Sequence, residues 1–211
     1  MRLDRVILRA IWSTLAAIGV LLLVMVLSCL FFFPSTLMNL SYDLGLEKSA
    51  VRNAERAYKL DGGVEYMAFA FSIAVDNKDF DKVQKYGEKI IADDEFEDYC
   101  IMQDRLNEGN EYLVGEYEQY VYGNTYAAQY RNGEKEEALA NAYTVSRTFV
   151  PGNAVARILI AALQAEDYEV VEEILDTLLE WKELYLPSIN EYLEEMITLA
   201  ERYLPSASSG N

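Results

Sequence analysis

Carboxylates are the side chains with which this 211-residue chain could do chemistry: it holds 35 acids, 18 bases and no histidine. Nucleophiles activated by an imidazole and the common zinc sites are therefore excluded. The densest acidic stretch, Asp93-Asp94-Glu95-Phe96-Glu97-Asp98, offers oxygen ligands for Ca²⁺. It lacks the glycine and the alternating spacing of a calcium loop, and it reads better as a solvated helix start whose acids face the positive end of the helix dipole. Glu172-Glu173 and Glu194-Glu195 read as solvent faces. A carboxylate-pair enzyme, acting for instance on cell-wall sugar, is an alternative for which spacing alone places no acidic pair in a cleft. No phosphate-cradling glycine loop or dinucleotide fingerprint occurs. The chain thus reads as a non-enzyme without cofactor or metal. Tyrosine is the informative side chain, with 16 copies, seven of them from Tyr112 to Tyr143. A ring with a polar tip suits a surface that is apolar and wet at once, as protein-binding surfaces are.

These side chains need elements to carry them, and the first is unmistakable. Residues 10–42 hold no charge, and 11–33 read IWSTLAAIGVLLLVMVLSCLFFF. At about 1.5 Å per residue this run reaches roughly 35 Å, enough to cross a hydrocarbon core of about 30 Å. Arg2, Arg5 and Arg9 precede it against Asp4 alone, and no base follows until Lys48, so the N-terminus is expected in the cytoplasm. The expected division is a cytoplasmic tail (1–9), a transmembrane helix (10–33), an extracytoplasmic domain (34–204) and a disordered tail (205–211). A cleaved signal peptide would have a shorter apolar region, about 7–15 residues, with a small-x-small site. Val26-Leu27-Ser28-Cys29 loosely matches a lipidation box, but three phenylalanines follow soon after where a polar tether is usual. Ser13 and Ala17 could let two spans approach.

Beyond the span lie 34 of the acids and 15 of the bases, a formal charge of −19. That field repels nucleic acid and favours cationic partners. Cys100 is the only cysteine outside, which rules out an internal disulfide and leaves at most an intermolecular one. A single anchor with few cysteines points to a bacterial plasma membrane.

Four stretches of the outer chain align: Gly45-Leu46-Glu47-Lys48-Ser49-Ala50-Val51, Lys78-Asp79-Phe80-Asp81-Lys82-Val83-Gln84, Gly133-Glu134-Lys135-Glu136-Glu137-Ala138-Leu139 and Glu166-Asp167-Tyr168-Glu169-Val170-Val171-Glu172, at spacings of 33, 55 and 33. Each is a polar turn opening a helix, with a small or branched residue in sixth place. Apolar stripes follow at helical spacing: Ala50, Ala54, Ala57, Tyr58; Val83, Tyr86, Gly87, Ile90, Ile91; Ala138, Ala142, Val145; Val171, Ile174, Leu175, Leu178, Leu179. A preceding helix is expected over 64–75, 116–131 and 153–165. Gly62-Gly63, Glu108-Gly109-Asn110, Pro151-Gly152 and Pro187 punctuate the chain. The insertion adds a helix over 95–106, and a last amphipathic helix (189–204) should cover the open end. Before the first turn, a helix over 35–43 should continue the span after a kink at Pro34, packing Leu37, Met38 and Leu40 on the helix that starts at Ser49.

In these turns, and in the small pairs Ala50 with Ala57 and Ala138 with Ala142, the chain resembles the tetratricopeptide repeat family over most of residues 35–183. Phe71, Tyr126 and Leu159 stand where that family is small in its first helices. The resemblance implies an all-α fold, an antiparallel helical array (α-solenoid) behind a single N-terminal transmembrane helix. It implies a groove lined by first helices, with positions Glu65, Ser72, Val75, Asp76, Tyr120, Ala127, Tyr130, Arg131, Asn153, Ala156, Ile160 and Gln164. The expectation is a membrane-anchored scaffold or adaptor in a cell-envelope assembly, binding a basic or amphipathic segment of another protein. A holdase-like accessory of protein export is a narrower form of it.

Overall fold

The computed structural model describes residues 2–106, 115–146, 153–184 and 190–204. They form eleven helices, and there is no strand among them. The expected breaks at 108–110, 151–152 and 187 and the tail 205–211 lie outside the described residues, as does the side chain of Cys29. The chain divides into two compact units, 1–70 and 71–211. The division falls inside one helix, α4 (Val64–Asp76).

In the first unit α1 (Arg2–Phe32) contains the segment Leu8–Ser28, with a mean hydropathy of 2.5 and none of it buried. It is long and apolar enough to cross a membrane. A single residue, Phe33 (φ −130°, ψ 56°), interrupts the helix, and α2 (Pro34–Asp43) begins at once with proline in its first turn, where a missing N–H costs nothing. There is no flexible connector. Met38 and Ser41 of α2 are buried against α3 (Glu47–Asp61), Leu37 is half-buried and Leu40 is exposed, so Leu40 departs from the expected packing. Alanine at 50, 54 and 57, each fully buried, lets α3 come close. Asn53, a polar residue on that stripe, is satisfied by Ser41, whose Oγ accepts from its Nδ2 at 3.4 Å.

The second unit is built around α7 (Glu116–Arg131), which packs on α5 (Phe80–Ile91), α6 (Phe96–Leu106), α8 (Lys135–Val145) and α9 (Ala154–Gln164). Enclosed on several sides, α7 buries residues around most of its circumference, including Gln119, Val121, Thr125, Tyr126, Gln129 and Tyr130. Gly87 of α5 makes this possible: a Cβ there would stand 1.9 Å from Thr125 Oγ1 and 2.8 Å from Thr125 Cβ. The stripes of α5, α8 and α10 (Tyr168–Leu184) are buried at Val83, Tyr86, Ile90, Ala138, Ala142, Val171, Ile174 and Leu178. Leu179, expected in the last stripe, is 41% exposed because the register of the helix turns it outward. The last helix, α11 (Asn190–Tyr203), lays Leu193, Met196, Ile197 and Ala200 onto the core against α10 and α9.

The four aligned stretches share one backbone geometry. Each begins on the residue with left-handed φ: Gly45 (71°), Lys78 (53°), Gly133 (98°) and Glu166 (55°). At each, its N–H bonds a carbonyl three residues back (Tyr42, Val75, Tyr130, Leu163), and the next N–H bonds one five back (Ser41, Ala74, Gln129, Ala162). This is the paired closure of a Schellman turn. The following residue, Leu46, Asp79, Glu134 or Asp167, receives through its carbonyl the N–H of Ala50, Val83, Ala138 or Val171. Those four sixth-place side chains are 0–3% exposed. Thus a left-handed residue, a helix start and a buried small or branched residue recur in the same order and internal spacing in all four turns.

Candidate functional site

Within the second unit the three turns lie side by side, joined by polar contacts. Asn132 Nδ2 donates to Gln84 Oε1 at 2.7 Å, and Gln84 Nε2 donates to Glu134 at 2.9 Å. The Arg131 guanidinium lies 4.8 Å over the Phe80 ring and also donates to Gln164. Lys135 pairs with Asp167 at 2.5 Å, and the Tyr130 hydroxyl donates to the same carboxylate at 2.6 Å. These two partners hold the Asp167 carboxyl below its ordinary range, Lys135 contributing most. Burial, followed by the Asp167 bond, raises the Tyr130 phenol.

The first-helix residues named from the sequence fall into three groups. Tyr130, 2% exposed, and Asn153, fully buried, are not surface residues. Asn153 caps α9, its Oδ1 accepting the N–H of Ala156 at 2.9 Å, and Ala156 is buried beside it. Asn153 as a buried cap and Tyr130 as a buried tyrosine bonded to Asp167 serve the framework of the unit. Glu65 is exposed on the part of α4 that belongs to the first unit. The remaining positions lie in the second unit: Ser72, Val75, Tyr120 and Ala127 are half-buried, whereas Asp76, Arg131, Ile160 and Gln164 are exposed.

Two residues that sequence reading missed connect this last group. Arg157 of α9 donates to Asn124 Oδ1 of α7 at 3.2 Å and lies 5.8 Å over the Tyr120 ring. Arg157 is the single charge in AVARILIAALQ, and a lone cation in an apolar helix was the available signal. The Tyr120 ring meets Phe71 edge-on at 5.9 Å and Tyr117 at 5.8 Å. Burial raises its phenol, Asp76 adds to the rise, and Arg157 opposes it. The result is a strip on α7 and α9 with an aromatic floor, a positioned guanidinium and the exposed aliphatic Ile160.

A second aromatic group stands at the other side of α7. Tyr122 stacks on Tyr126 at 5.9 Å, and Phe96 meets Tyr122 edge-on at 5.5 Å. The inserted helix α6 has a definite structural task here. Asp104 accepts the N–H groups of Gly115 and Tyr117 at 2.7 and 2.9 Å, capping a helix whose own N-cap glycine has no side chain. Cys100 of α6 is 4% exposed. Burial pushes its thiol up to about 12, with Glu118 and Asp104 adding to the rise. A group so enclosed and so weakly acidic cannot form an intermolecular bridge while the fold is closed.

The acidic stretch 93–98 closes a turn, Asp93 Oδ1 accepting the Glu95 N–H at 3.0 Å, and α6 starts at Phe96. Among the described residues no three of His, Cys, Asp or Glu converge as a metal would require. Comparison with protein-family models, with curated proteins and with solved structures returned no match.

Proposed function

We propose that the chain is a membrane-anchored helical-repeat scaffold whose α7–α9 strip holds a segment of another protein. The observation that carries this reading is the fourfold recurrence of one hydrogen-bonded turn, with α7 touching its own second helix α8, the preceding second helix α5 and the next first helix α9. Such neighbours are those of a stacked repeat, and this supports the likeness to tetratricopeptide arrays and an α-solenoid arrangement. Side-by-side first helices present a surface that is amphipathic at short range: Tyr120 and Ile160 supply apolar area, and Asp76, Arg157 and Gln164 supply directional polar contacts. With the −19 charge beyond the span, this strip suits a basic or amphipathic helix or extended segment.

The span, inserted with its arginine-flanked end in the cytoplasm, would display the repeats outside a bacterial plasma membrane. The test is a photo-crosslinking residue at Ile160 in intact cells, with the same residue at exposed Glu172 of α10 as control. A discrete adduct at 160, absent at 172 and lost with Arg157→Glu, supports the reading. No adduct at 160, or equal adducts at both sites, refutes it. Adducts with many newly exported chains would favour the holdase-like form.

A further inference from the structure

The four copies of the turn differ in one respect that their shared geometry does not explain. In three of them the residues around the left-handed position include side chains at home in water: Asn77-Lys78-Asp79, Asn132-Gly133-Glu134 and Ala165-Glu166-Asp167. The first reads Leu44-Gly45-Leu46, and its leucines are 64% and 55% exposed. Leu46 also occupies an N-cap place that Asp79 fills in its own copy, where the Asp79 carboxylate accepts the Lys82 N–H. A leucine there gives up that cap, so neither backbone need nor local hydrogen bonding selects it. This copy is the one that follows the span: α2 is only ten residues long, a single residue separates it from α1, and Leu40 and Tyr42 near its end are exposed as well. At about 1.5 Å per residue α2 holds the turn within roughly 15 Å of the span's end. Lys48, the first base after the span, and Arg52, one helical turn later, are both exposed beside the leucines.

We infer that the Leu44-Gly45-Leu46 turn is a membrane-docking element: its leucines enter the boundary between headgroups and acyl chains of the bilayer that α1 crosses, and Lys48 and Arg52 meet lipid phosphates. The inference rests on α1 being a span. Two exposed leucines on a turn held close to that span, with Lys48 and Arg52 exposed on the following helix next to the acids Asp43 and Glu47, fit a lipid surface better than an aqueous one. The contact gives the anchored chain a second point of attachment, which limits rotation of α2 and α3 about the axis of α1.

The experiment uses the full chain, with Cys29 and Cys100 replaced by alanine, reconstituted into phosphatidylcholine–phosphatidylglycerol vesicles. An environment-sensitive fluorophore is attached through a single cysteine at residue 44, 46, 132 or 20 in turn. The expected result is blue-shifted emission at 44 and 46, quenched by lipids carrying a bromine or spin label and protected from aqueous iodide, with the opposite behaviour at 132. Residue 20, in the span, reports on the premise. If 20 is lipid-quenched while 44 and 46 behave like 132, the docking inference is overturned and the anchor stands. If 20 itself is open to iodide, the span reading falls and the inference with it. Protection of 44 and 46 from iodide without lipid quenching would assign the turn to a protein contact and also overturn the proposal.

Discussion

Lys78 and Glu166 hold left-handed backbone angles that Gly133 adopts in the corresponding turn of the same unit. For a residue with a Cβ that conformation costs about 1–2 kcal/mol. Glycine avoids the cost but loses roughly 0.5–1 kcal/mol through its larger freedom in the unfolded chain. Both Lys78 and Glu166 are exposed, so little packing is lost on removing them. Lys78→Gly and Glu166→Gly should therefore each stabilise the protein by about 0.5–1 kcal/mol, raising the melting temperature by about 1–4 °C. Gly133→Ala should do the reverse by a similar amount. No atom lies within 4 Å of the Cβ it would add, so the loss is conformational and not steric. Thermal unfolding followed by far-ultraviolet circular dichroism, on the full chain in detergent micelles at fixed pH, measures all three. A fall in melting temperature for both glycine variants, with Gly133→Ala unchanged, would refute the shared-turn argument.

Gly87→Ala should destabilise by about 1–3 kcal/mol, the usual cost of overfilling a packed core, because its methyl would collide with Thr125; chemical denaturation should show Thr125→Ala restoring part of the loss. The phenols of Tyr117, Tyr122 and Tyr130 are raised, chiefly by burial. A folded-state value above the unfolded one, near 10, means that their contribution is complete below about pH 10 and is lost as pH rises further. Ultraviolet titration should accordingly show these tyrosines ionising late and together with loss of helix, and smooth ionisation of all sixteen tyrosines near their ordinary value would contradict their burial.

The aligned stretches and the long apolar helix could be read from the chain because their causes are local. A left-handed residue, its two turn bonds and the buried sixth-place side chain all fall within about ten residues. Alignment therefore located Lys78 and Glu166 without any glycine to mark them. Likewise α7 runs over 116–131 and α2 follows the apolar helix α1 at Pro34, as the sequence predicts.

What tertiary structure alone decided is which side of each helix is used. Because α7 is enclosed by several neighbours, its tyrosines show no single apolar face. Only packing separates buried Tyr130, tied to Asp167, from Tyr120, held half-open beneath Arg157. Asp104 reaches the start of α7 from 11 and 13 residues away, a partnership that no periodicity announces. Asn153, a groove position only by the tetratricopeptide resemblance, is buried and caps α9. Hydrophobic period and turn chemistry act over one or two helical turns, so the sequence by itself determined the elements and their joints. The identity of the surface depends on contacts between helices remote in the chain, and only the folded arrangement decided it.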